Sequence, residues 1–532
     1  IMKHRRGRTM SYPYNDFRQY LHSLEEAGLL IRVKEEINKD TELVPLVRLQ
    51  FRGLPEDQRK AFYFENVTDS RGRHFPGGVA IATFAASRSV YAHALAANLD
   101  QLGAVWQRAL GAPIEPVLRE TGPCKEVILR DTELETSGGV DAFPHPISTP
   151  GFDNAPYLTS PYWVTRDPET GSYNVGTYRG MIKGPRLVGL QMDTPNQHIA
   201  IHLRKAKLLG RKLEVAIVLG AVPAVGLASV QKVPFGVSEY GVAGGLMGQP
   251  LDVVNCETVD LQVPATSEII IEGVIDPTHL EPEGPFGEAS GYMGGRTTSP
   301  VVEITAITHR KDPLVQAFIS EFPPSESTLM RKIGFENLYQ RFLRDSCNLS
   351  SVVDVTFYEM ATCNMMFVIR MRNPSPGQAW QALYAASGYE ASMGKYIIAV
   401  DEDIDPSDFG AIVWALSFRT QPASDVRLIT GKLPRLDPSM PLEPGQTATA
   451  SASALLIDAT RPRDYPPTSL PATEYMQAAL KRWERLGLPP LHINEPLAGY
   501  ELGEWTNENR EEAALAVLGR YLETGARLHG RG

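Results

Sequence analysis

The spacing of apolar residues near the start of the chain predicts a helix. Four apolar side chains recur at positions i, i+3, i+4 and i+7, which share one helix face: Phe17, Tyr20, Leu21 and Leu24. Asn15 or Asp16 can cap its first turn, and Gly28 is placed to end it. A second long helix is predicted over residues 87–106.

The middle of the chain has a different pattern. Short Val/Ile-rich runs alternate with turn residues at 213–219, 269–275, 301–308 and 314–320, which predicts a mainly β region, either a sandwich or a barrel. Alternation at Ile199 and Ile201 predicts a further strand there.

Strands and helices alternate in the last third of the chain, which predicts an α/β domain. Helices are expected at 325–344, 378–386 and 408–418, and strands at 351–357, 365–371 and 396–400. Four prolines within 432–446 predict a linker or a loop that faces the active site. A terminal amphipathic helix over 507–525 should bury its apolar stripe, often on a partner subunit.

The length of 532 residues exceeds what one core normally organises, so we expect a mixed α/β protein of several parts. The predicted division is a leader at 1–9, an N-terminal α/β segment at 10–120, a central β domain at 121–322, a connecting helix at 323–350, a C-terminal α/β domain at 351–480 and a helical tail at 481–532.

Composition narrows the possible functions. Sixty-two acidic against fifty-two basic side chains give a net charge of -10, which argues against a nucleic-acid partner. The most apolar run, 215–230, is interrupted by Gly220, Pro223 and Gly226, so no membrane span is expected. The cysteines are far apart and form no C-x-x-C pair, which favours a reducing cytoplasm over a disulfide framework: Cys124, Cys256, Cys347 and Cys363.

Two glutamates form the first candidate for chemistry. Glu283 and Glu288 lie five residues apart in a Gly/Pro-rich segment, which we expect to be a loop. Mutual repulsion could raise the pKa of one and make it a proton donor near neutral pH. The alternative is a solvated acidic turn. Arg179 could steady one of these carboxylates or bind a substrate carboxylate, and the alternative is a surface arginine.

A second group of side chains has the character of metal ligands. His198 and His202 are four residues apart, but the glutamate of an H-E-x-x-H zinc site is missing. One histidine with an amide oxygen and a carboxylate would instead suit Mn²⁺ or Mg²⁺, and Glu239 is a candidate for the carboxylate. The alternatives are ordinary strand histidines and a capping or surface glutamate. Dinucleotide, P-loop and serine-hydrolase fingerprints are absent from the sequence.

These motifs occur in a recognisable order. They are Asn174-x₄-Arg179, Gln197-His198-Ile199, Ser238-Glu239-Tyr240, Glu283-Gly-Pro-x-Gly-Glu288, Pro323-Pro324-x-Glu326, Lys395 before the acidic stretch at 401–405, Trp414-Ala415 and Ile457-Asp458-Ala459-Thr460. The series resembles the UbiD family of reversible decarboxylases, which use prenylated FMN (prFMN). The resemblance spans roughly residues 15–480. Departures are Ser424, where the family often has arginine, and Leu456, where it usually has glycine.

The resemblance implies a fold and a set of ligands. The fold is an N-terminal α/β segment, a central split β-barrel that binds the flavin, and a C-terminal α/β dimerisation domain with a terminal helix. Asn174, His198 and Glu239 would hold Mn²⁺ or Mg²⁺, and the backbone oxygens of Ala228 and Ser229 would hold K⁺, with Glu239 shared. The implied cofactor contacts are Asn174, Arg179, Gln197, His198, Ser229, Glu239 and Lys395.

The resemblance also implies a reaction, the non-oxidative decarboxylation of an aromatic, heteroaromatic or α,β-unsaturated acid. Loss of CO₂ leaves negative charge on carbon, for which prFMN would be the electron sink. Arg179 would keep Glu283 ionised, while Glu288 would protonate the carbon. A run of alanines at 448, 450, 452 and 454 could leave room for a polycyclic acid.

Other functions stay open at this stage. They are decarboxylation of a prenylated hydroxybenzoate in quinone biosynthesis, an oxidoreductase that uses unmodified FMN, and a flavin-binding protein without catalysis. The expected partners are a flavin prenyltransferase that supplies the cofactor and a second copy of the chain, in a homodimer or higher homo-oligomer.

Overall fold

The computed structural model describes residues 12–192, 195–233, 235–433, 436–440, 452–461, 465–491 and 503–529. Three predicted features lie wholly or partly outside the described residues: the leader at 1–9, part of the proline-rich segment at 432–446, and positions 448 and 450 of the alanine run. No helix in the described ranges is both long and apolar enough to cross a membrane.

The chain divides into two compact units. The first comprises Ile1–Arg341, Phe357–Met365 and Gly431–Ala452, and the second comprises Phe342–Thr356, Met366–Thr430 and Ser453–Gly532.

The first unit contains nine helices among its described residues. They are α1 Phe17–Glu26, α2 Leu43–Gly53, α3 Arg88–Ala94, α4 Leu102–Gly111, α5 Asp131–Thr136, α6 His198–Leu208, α7 Pro223–Ser229, α8 Glu239–Met247 and α9 Glu326–Arg341. Helix α1 begins as predicted, because the Asp16 side chain accepts a hydrogen bond from the Gln19 amide at 2.8 Å. Its apolar face, including Phe17, Tyr20 and Leu24, is fully buried.

The strands of the first unit form four sheets. In chain order they are β1 Leu30–Asn38, β2 Ala61–Thr68, β3 Val79–Ile81, β4 Val117–Arg119, β5 Val127–Arg130, β6 Tyr157–Leu158, β7 Tyr162–Arg166, β8 Tyr173–Thr177, β9 Gly180–Gly184, β10 Leu187–Leu190, β11 Leu213–Leu219, β12 Asp252–Asn255, β13 Gln262–Pro264, β14 Ile269–Glu283, β15 Phe286–Gly287, β16 Met293–Gly294, β17 Thr297–His309 and β18 Val315–Ala317.

The central nine-stranded sheet has the order β6-β9-β10-β17-β14-β11-β7-β8, with β5 paired to β17. Its paired strands are antiparallel, and it is curled into a half-barrel, which confirms the expected split-barrel fold. Strand β11 and residues 269–275 of β14 are each buried at all but one position, so these strands contribute to the core of the unit. Smaller sheets pair β1-β2-β3-β18, β13-β12-β4 and β15-β16.

Two predictions about local structure are wrong in this unit. Residues 197–202 begin helix α6, not a strand, because Ile199, Leu203 and Ala206 recur at helical spacing and are all buried. The expected helix at 87–106 is two helices, α3 and α4, separated by a turn in which Ala96 has a φ of 49°.

The second unit is built around a sheet in which β20, β21 and β23 run parallel. Its helices are α10 Gln378–Tyr389, α11 Phe409–Phe418, α12 Pro422–Asp425, α13 Thr473–Arg485, α14 Asn507–Val517 and α15 Tyr521–Leu528. Strands β19 Val352–Phe357, β20 Met366–Met371, β21 Tyr396–Asp401, β22 Val426–Lys432 and β23 Ala452–Ala459 lie in the order β19-β20-β21-β23-β22. Alternating strands and helices confirm the expected α/β character.

The end of the chain departs from the prediction of one helix. Helices α14 and α15 are separated by a turn at Gly519, whose φ of 77° favours glycine. The apolar side chains of Leu518, Tyr521 and Leu522 are exposed by 69%, 62% and 76%. Their burial on a partner subunit stays a prediction.

Candidate active site

Arg179 and Glu283 form a buried two-pronged ion pair. Arg179 lies in the turn between β8 and β9, and Glu283 is the last residue of β14, so this glutamate belongs to a strand and not to the predicted loop. Arg179 Nε and Nη2 donate to Glu283 Oε1 and Oε2 at 3.0 and 2.7 Å. The Glu283 side chain is 1% exposed, so the pair is fixed in a dry environment.

Glu288 completes what we term the arginine–glutamate cluster, which consists of Arg179, Glu283 and Glu288. It lies just after β15, at the start of the turn to β16, and its amide donates to the Tyr292 carbonyl at 2.9 Å. The third guanidinium nitrogen, Nη1, contacts Glu288 Oε1. The two acids therefore share a cation, which offsets the mutual repulsion expected from the sequence.

Electrostatics and aromatic packing hold the guanidinium in place. Burial alone would lower the pKa of Arg179, but the hydrogen bond to Glu283 and the charge of Glu288 raise it above its ordinary value. The guanidinium carbon lies 4.9 Å from the ring centre of Phe286 and 5.9 Å from that of Tyr157. Arg179 is thus positively charged at every pH at which the protein is folded.

Tyr157 is a site residue that the sequence analysis missed. Its ring packs on Phe286 with 4.3 Å between centroids, and its buried hydroxyl has no hydrogen-bond partner among the residues that the structure describes. Burial and the charge of Glu283 raise the pKa of this phenol. Tyr157 begins the two-residue strand β6 just after a proline-rich loop, so it gave no periodic signal.

A second group, the amide–carboxylate cluster, consists of Asn174, His198 and Glu239. Asn174 lies in β8, and the amide of the next residue, Val175, donates to Glu239 Oε2 at 2.7 Å. Glu239 is the first residue of α8, which Ser238 caps. Burial raises the pKa of Glu239 to about 8. Asn174 is 3% exposed, and its Nδ2 has no hydrogen-bond partner in the described chain.

The two histidines of α6 differ in their surroundings. His198 begins the helix and its ring packs edge-on against Phe235, with 5.1 Å between centroids. Burial and the charge of Lys232 lower its pKa, so its imidazole is neutral and able to bind a metal. His202 is buried, hydrogen-bonds Thr165 Oγ1 at 3.0 Å, and has its pKa lowered to about 4 by burial. It is therefore a satisfied core histidine.

The remaining predicted site residues fall in both units. Ala228 and Ser229 end α7, which packs against α8 and β8, and Ser229 Oγ lies 2.8 Å from the Thr177 hydroxyl. Gln197 is the cap residue of α6, directly before His198. Lys395 belongs to the second unit, immediately before β21. All the other predicted site residues lie in the first unit.

The amide–carboxylate cluster fits a hard divalent cation. Among described residues no three or more His, Cys, Asp or Glu side chains converge on a common metal position, and the predicted set has an amide as its third member. Its donors are an amide oxygen, an imidazole nitrogen and a carboxylate, which suit Mn²⁺ or Mg²⁺. A buried carboxylate with a raised pKa is a group that a cation would satisfy, whereas the unpartnered Asn174 Nδ2 is a donor that needs an acceptor.

Comparison with known proteins identifies the family. The sequence profile of the 3-octaprenyl-4-hydroxybenzoate carboxy-lyase Rift-related domain (UbiD) matches residues 115–322, and that of the C-terminal domain of the same enzyme (UbiD_C) matches residues 332–459. A phenolic acid decarboxylase from Escherichia coli O157:H7 is 30% identical over 466 residues, which cover 84% of this chain and 92% of that protein. The chain belongs to the UbiD family.

Solved structures of UbiD-class enzymes agree with this assignment. HmfF from Pelotomaculum thermopropionicum in complex with FMN is 30% identical, with a TM-score of 0.75 over 87% of this chain and 99% of that one. Vanillic acid decarboxylase from Sedimentibacter hydroxybenzoicus in its closed form is 28% identical, with a TM-score of 0.77 over 89% and 99% of the two chains. The protein is thus a UbiD-type carboxy-lyase with a flavin cofactor.

Proposed function

We propose that this UbiD-family enzyme catalyses the reversible, non-oxidative decarboxylation of an aromatic, heteroaromatic or α,β-unsaturated carboxylic acid with prFMN. The observation that carries the proposal is the arginine–glutamate cluster, in which one buried guanidinium binds two carboxylates. The names of two relatives, a phenolic acid decarboxylase and a vanillic acid decarboxylase, support an aromatic substrate. A second HmfF structure, in complex with prFMN, supports the prenylated cofactor.

The cluster assigns different roles to its two acids. Glu283 is bound through both oxygens and is 1% exposed, so it anchors Arg179. Glu288 contacts Arg179 Nη1 and its side chain is 14% exposed, against 1% for Glu283, so we assign to Glu288 the delivery of the proton to the substrate carbon. The prenylated flavin, when bound, supplies the electron sink for the charge left by CO₂. Arg179 also offers positive charge to the substrate carboxylate before CO₂ leaves.

The amide–carboxylate cluster would hold the metal. Asn174, His198 and Glu239 would bind Mn²⁺ or Mg²⁺ beside the flavin phosphate, and the backbone oxygens of Ala228 and Ser229 would bind K⁺. The buried carboxylate of Glu239, whose pKa burial raises to about 8, supports this assignment. Gln197, Ser229 and Lys395 would contact the cofactor.

A second substrate class has its own support, because the matching profile is named for a 3-octaprenyl-4-hydroxybenzoate carboxy-lyase. The family resemblance implies that Leu329 and Met330, in α9, help to form the substrate pocket, and they are 2% and 0% exposed. Both side chains are apolar, and the sequence of α9 contains no histidine that could bind a phenol hydroxyl. We therefore favour an acid that is less polar than a simple hydroxybenzoate.

The expected partners follow from the same function. A flavin prenyltransferase would supply the cofactor, and a second copy of the chain would bind through the second unit. Phe409, Val413 and Phe418, on α11, are exposed by 56%, 47% and 62%, which supports such an interface. The division into six segments and a cytoplasmic location stay predictions.

The experiment is to co-express the protein with a flavin prenyltransferase, measure the mass and absorbance of the bound cofactor, and follow CO₂ release from a panel of acids. We expect a prFMN mass and release from at least one aromatic or unsaturated acid. Release only from a prenylated hydroxybenzoate would select the second class. Activity with unmodified FMN alone would refute the proposed mechanism, and bound flavin without turnover would indicate a non-catalytic flavin protein.

A further inference from the structure

A separate set of polar side chains holds the β15–β16 hairpin, which carries Glu288. The amide of Gly287, directly before Glu288, donates to Asp153 Oδ1 at 3.1 Å. The other oxygen, Asp153 Oδ2, accepts from the Thr149 amide at 2.7 Å. Asn154 Nδ2 donates to the Gly284 carbonyl at 2.7 Å. The segment from Thr149 to Asn154 therefore binds the chain at both ends of the short stretch that connects Glu283 to Glu288.

Glu321 packs against the same point of the hairpin. A Cβ atom on Gly287 would lie 2.8 Å from Glu321 Cγ and 2.8 Å from Thr149 Oγ1, so the backbone here is enclosed on two sides. Glu321 is 5% exposed, and its Oε2 accepts from the Ser320 amide at 3.2 Å. Its Oε1 is buried without a hydrogen-bond partner among the residues described.

Helix α2 fixes Glu321 and the residues after it. Arg48 Nη2 pairs with Glu321 Oε2, and its Nη1 donates to the Phe322 carbonyl at 3.0 Å. One turn further along, Arg52 Nη1 donates to the Pro323 carbonyl at 3.0 Å, and its guanidinium lies 4.7 Å from the centre of the Phe322 ring. A helix of the N-terminal segment thus holds Glu321, whose side chain packs against the catalytic hairpin at Gly287.

The carboxyl group of Asp153 is unusual for a residue that only closes a turn. Burial and the nearby charge of Glu321 raise the pKa of Asp153, and the hydrogen bonds from the Thr149 and Gly287 amides lower it. The net result is a pKa of about 6. Keeping this acid beside Glu321 is thus electrostatically unfavourable. Asp153 nevertheless holds two backbone amides, and one of them, that of Gly287, directly precedes Glu288.

We propose that Asp153 is a positioning residue for proton delivery by Glu288, with Glu321 and Arg48 as its support. The inference rests on the proposed role of Glu288. A proton donor must lie within hydrogen-bond reach of its target, and a misplacement of about 1 Å can cost about 100-fold in rate. Because the substrate carboxylate is offered to Arg179, which Glu283 anchors, we expect the effect mainly in kcat and less in KM.

The test compares three variants of the holoenzyme. Asp153→Ala should lower kcat about 30- to 100-fold with KM within about twofold of wild type. Asp153→Asn keeps one acceptor oxygen, so it should recover part of the loss and lie within about tenfold of wild type. Asp69→Ala is the matched control, because Asp69 also accepts two backbone amides, those of Arg71 and Arg73, in a turn between β2 and β3. Its kcat should not change.

Hydrogen–deuterium exchange provides a measurement that does not depend on turnover. Peptides covering 284–294 should exchange faster in Asp153→Ala than in wild type, and at the wild-type rate in Asp69→Ala. Wild-type kcat together with wild-type exchange in both Asp153 variants would overturn the proposal. If Asp153→Ala does not fold, Asp153→Asn alone decides in the same way. If wild type releases no CO₂ from any acid, the proposed function fails, while exchange at 284–294 still decides whether Asp153 holds the hairpin.

Discussion

The two polar clusters begin at Asn174 in β8 and at Arg179 just after it, five residues apart in sequence, and they differ in how their charges are balanced. In the arginine–glutamate cluster, Arg179 contacts both Glu283 and Glu288, so the protein supplies the cation itself. In the amide–carboxylate cluster, Glu239 accepts the Val175 amide, and no basic side chain in the described chain is paired with it. Asn174 Nδ2 has no partner there either.

This difference separates a site that is organised by the fold from one that is organised by its ligand. An ion pair with hydrogen bonds to both oxygens keeps its geometry before substrate arrives, which is what catalysis requires. A buried carboxylate without a cation is costly, and binding a metal would remove that cost. We therefore expect loss of metal to weaken cofactor retention and to leave the arginine–glutamate cluster intact.

The largest expected effect is at Glu288. Glu288→Gln keeps the shape of the side chain and a polar contact to Arg179 but removes the titratable proton, so kcat should fall at least about 10²- to 10⁴-fold. Cofactor content, measured by absorbance, should not change. Glu281→Gln is the matched control, since Glu281 lies on the same segment and pairs with Lys183 at 2.5 Å. Turnover within tenfold of wild type in Glu288→Gln would remove this residue from the proposed mechanism.

Arg179 tests whether the arginine–glutamate cluster is organised by its cation. Arg179→Lys keeps the charge but cannot bind Glu283 through two nitrogens while reaching Glu288, so kcat should fall about 100-fold. Arg179→Ala leaves Glu283 buried without a partner and should lower the free energy of unfolding by about 3–5 kcal/mol, measured in urea. Equal stability in the two variants would show that charge pairing does not organise this cluster.

Glu239 tests the opposite expectation for the amide–carboxylate cluster. Glu239→Gln removes the anionic metal ligand, so the affinity for Mn²⁺ should fall at least about 10-fold, measured as bound metal after dialysis. Glu272→Gln is the control, because Glu272 is also buried, at 1% exposed, but its oxygens accept from the Glu257 and Thr258 amides. Wild-type metal content in Glu239→Gln would exclude Glu239 as a ligand.

Local patterns in the sequence predicted most of the elements around these clusters. The run at 213–219 matches β11, and the capping of α1 by Asp16 is confirmed. The error at 197–202 arose because two isoleucines at alternate positions are compatible with a strand or with one turn of a helix. The helical spacing of Ile199, Leu203 and Ala206 distinguishes a helix from a strand, but Leu203 and Ala206 lie beyond residues 197–202.

The site was predictable only where motifs marked it. Arg179 and Glu283 are 104 residues apart, and no local pattern brings them together, so their pairing could be expected only from the family resemblance. Asp153 and Tyr157 stayed hidden because neither belongs to a periodic run or a recognised motif. Their roles depend on tertiary contacts. Asp153 binds the amide of Gly287, 134 residues away, and Tyr157 packs on the ring of Phe286.

The smallest effect concerns another buried carboxylate, that of Glu326. Its substitution separates the cost of burying a carboxylate from the role of a metal. Glu326 accepts the amides of Phe84 and Ile319 at 2.7 and 3.3 Å and lies outside the predicted metal set. Burial raises its pKa to about 8, so the folded protein holds this proton to a higher pH than the unfolded chain does. The free energy of unfolding should therefore fall as pH rises from about 5 to 8, by on the order of 2–4 kcal/mol.

Urea denaturation of metal-free protein across this range should give a flatter pH dependence for Glu326→Gln than for wild type. Parallel pH curves for the two proteins would mean that the backbone amides already compensate the charge of Glu326. A buried glutamate without a cationic partner would then not by itself indicate a metal ligand, and the argument for Glu239 would be weaker.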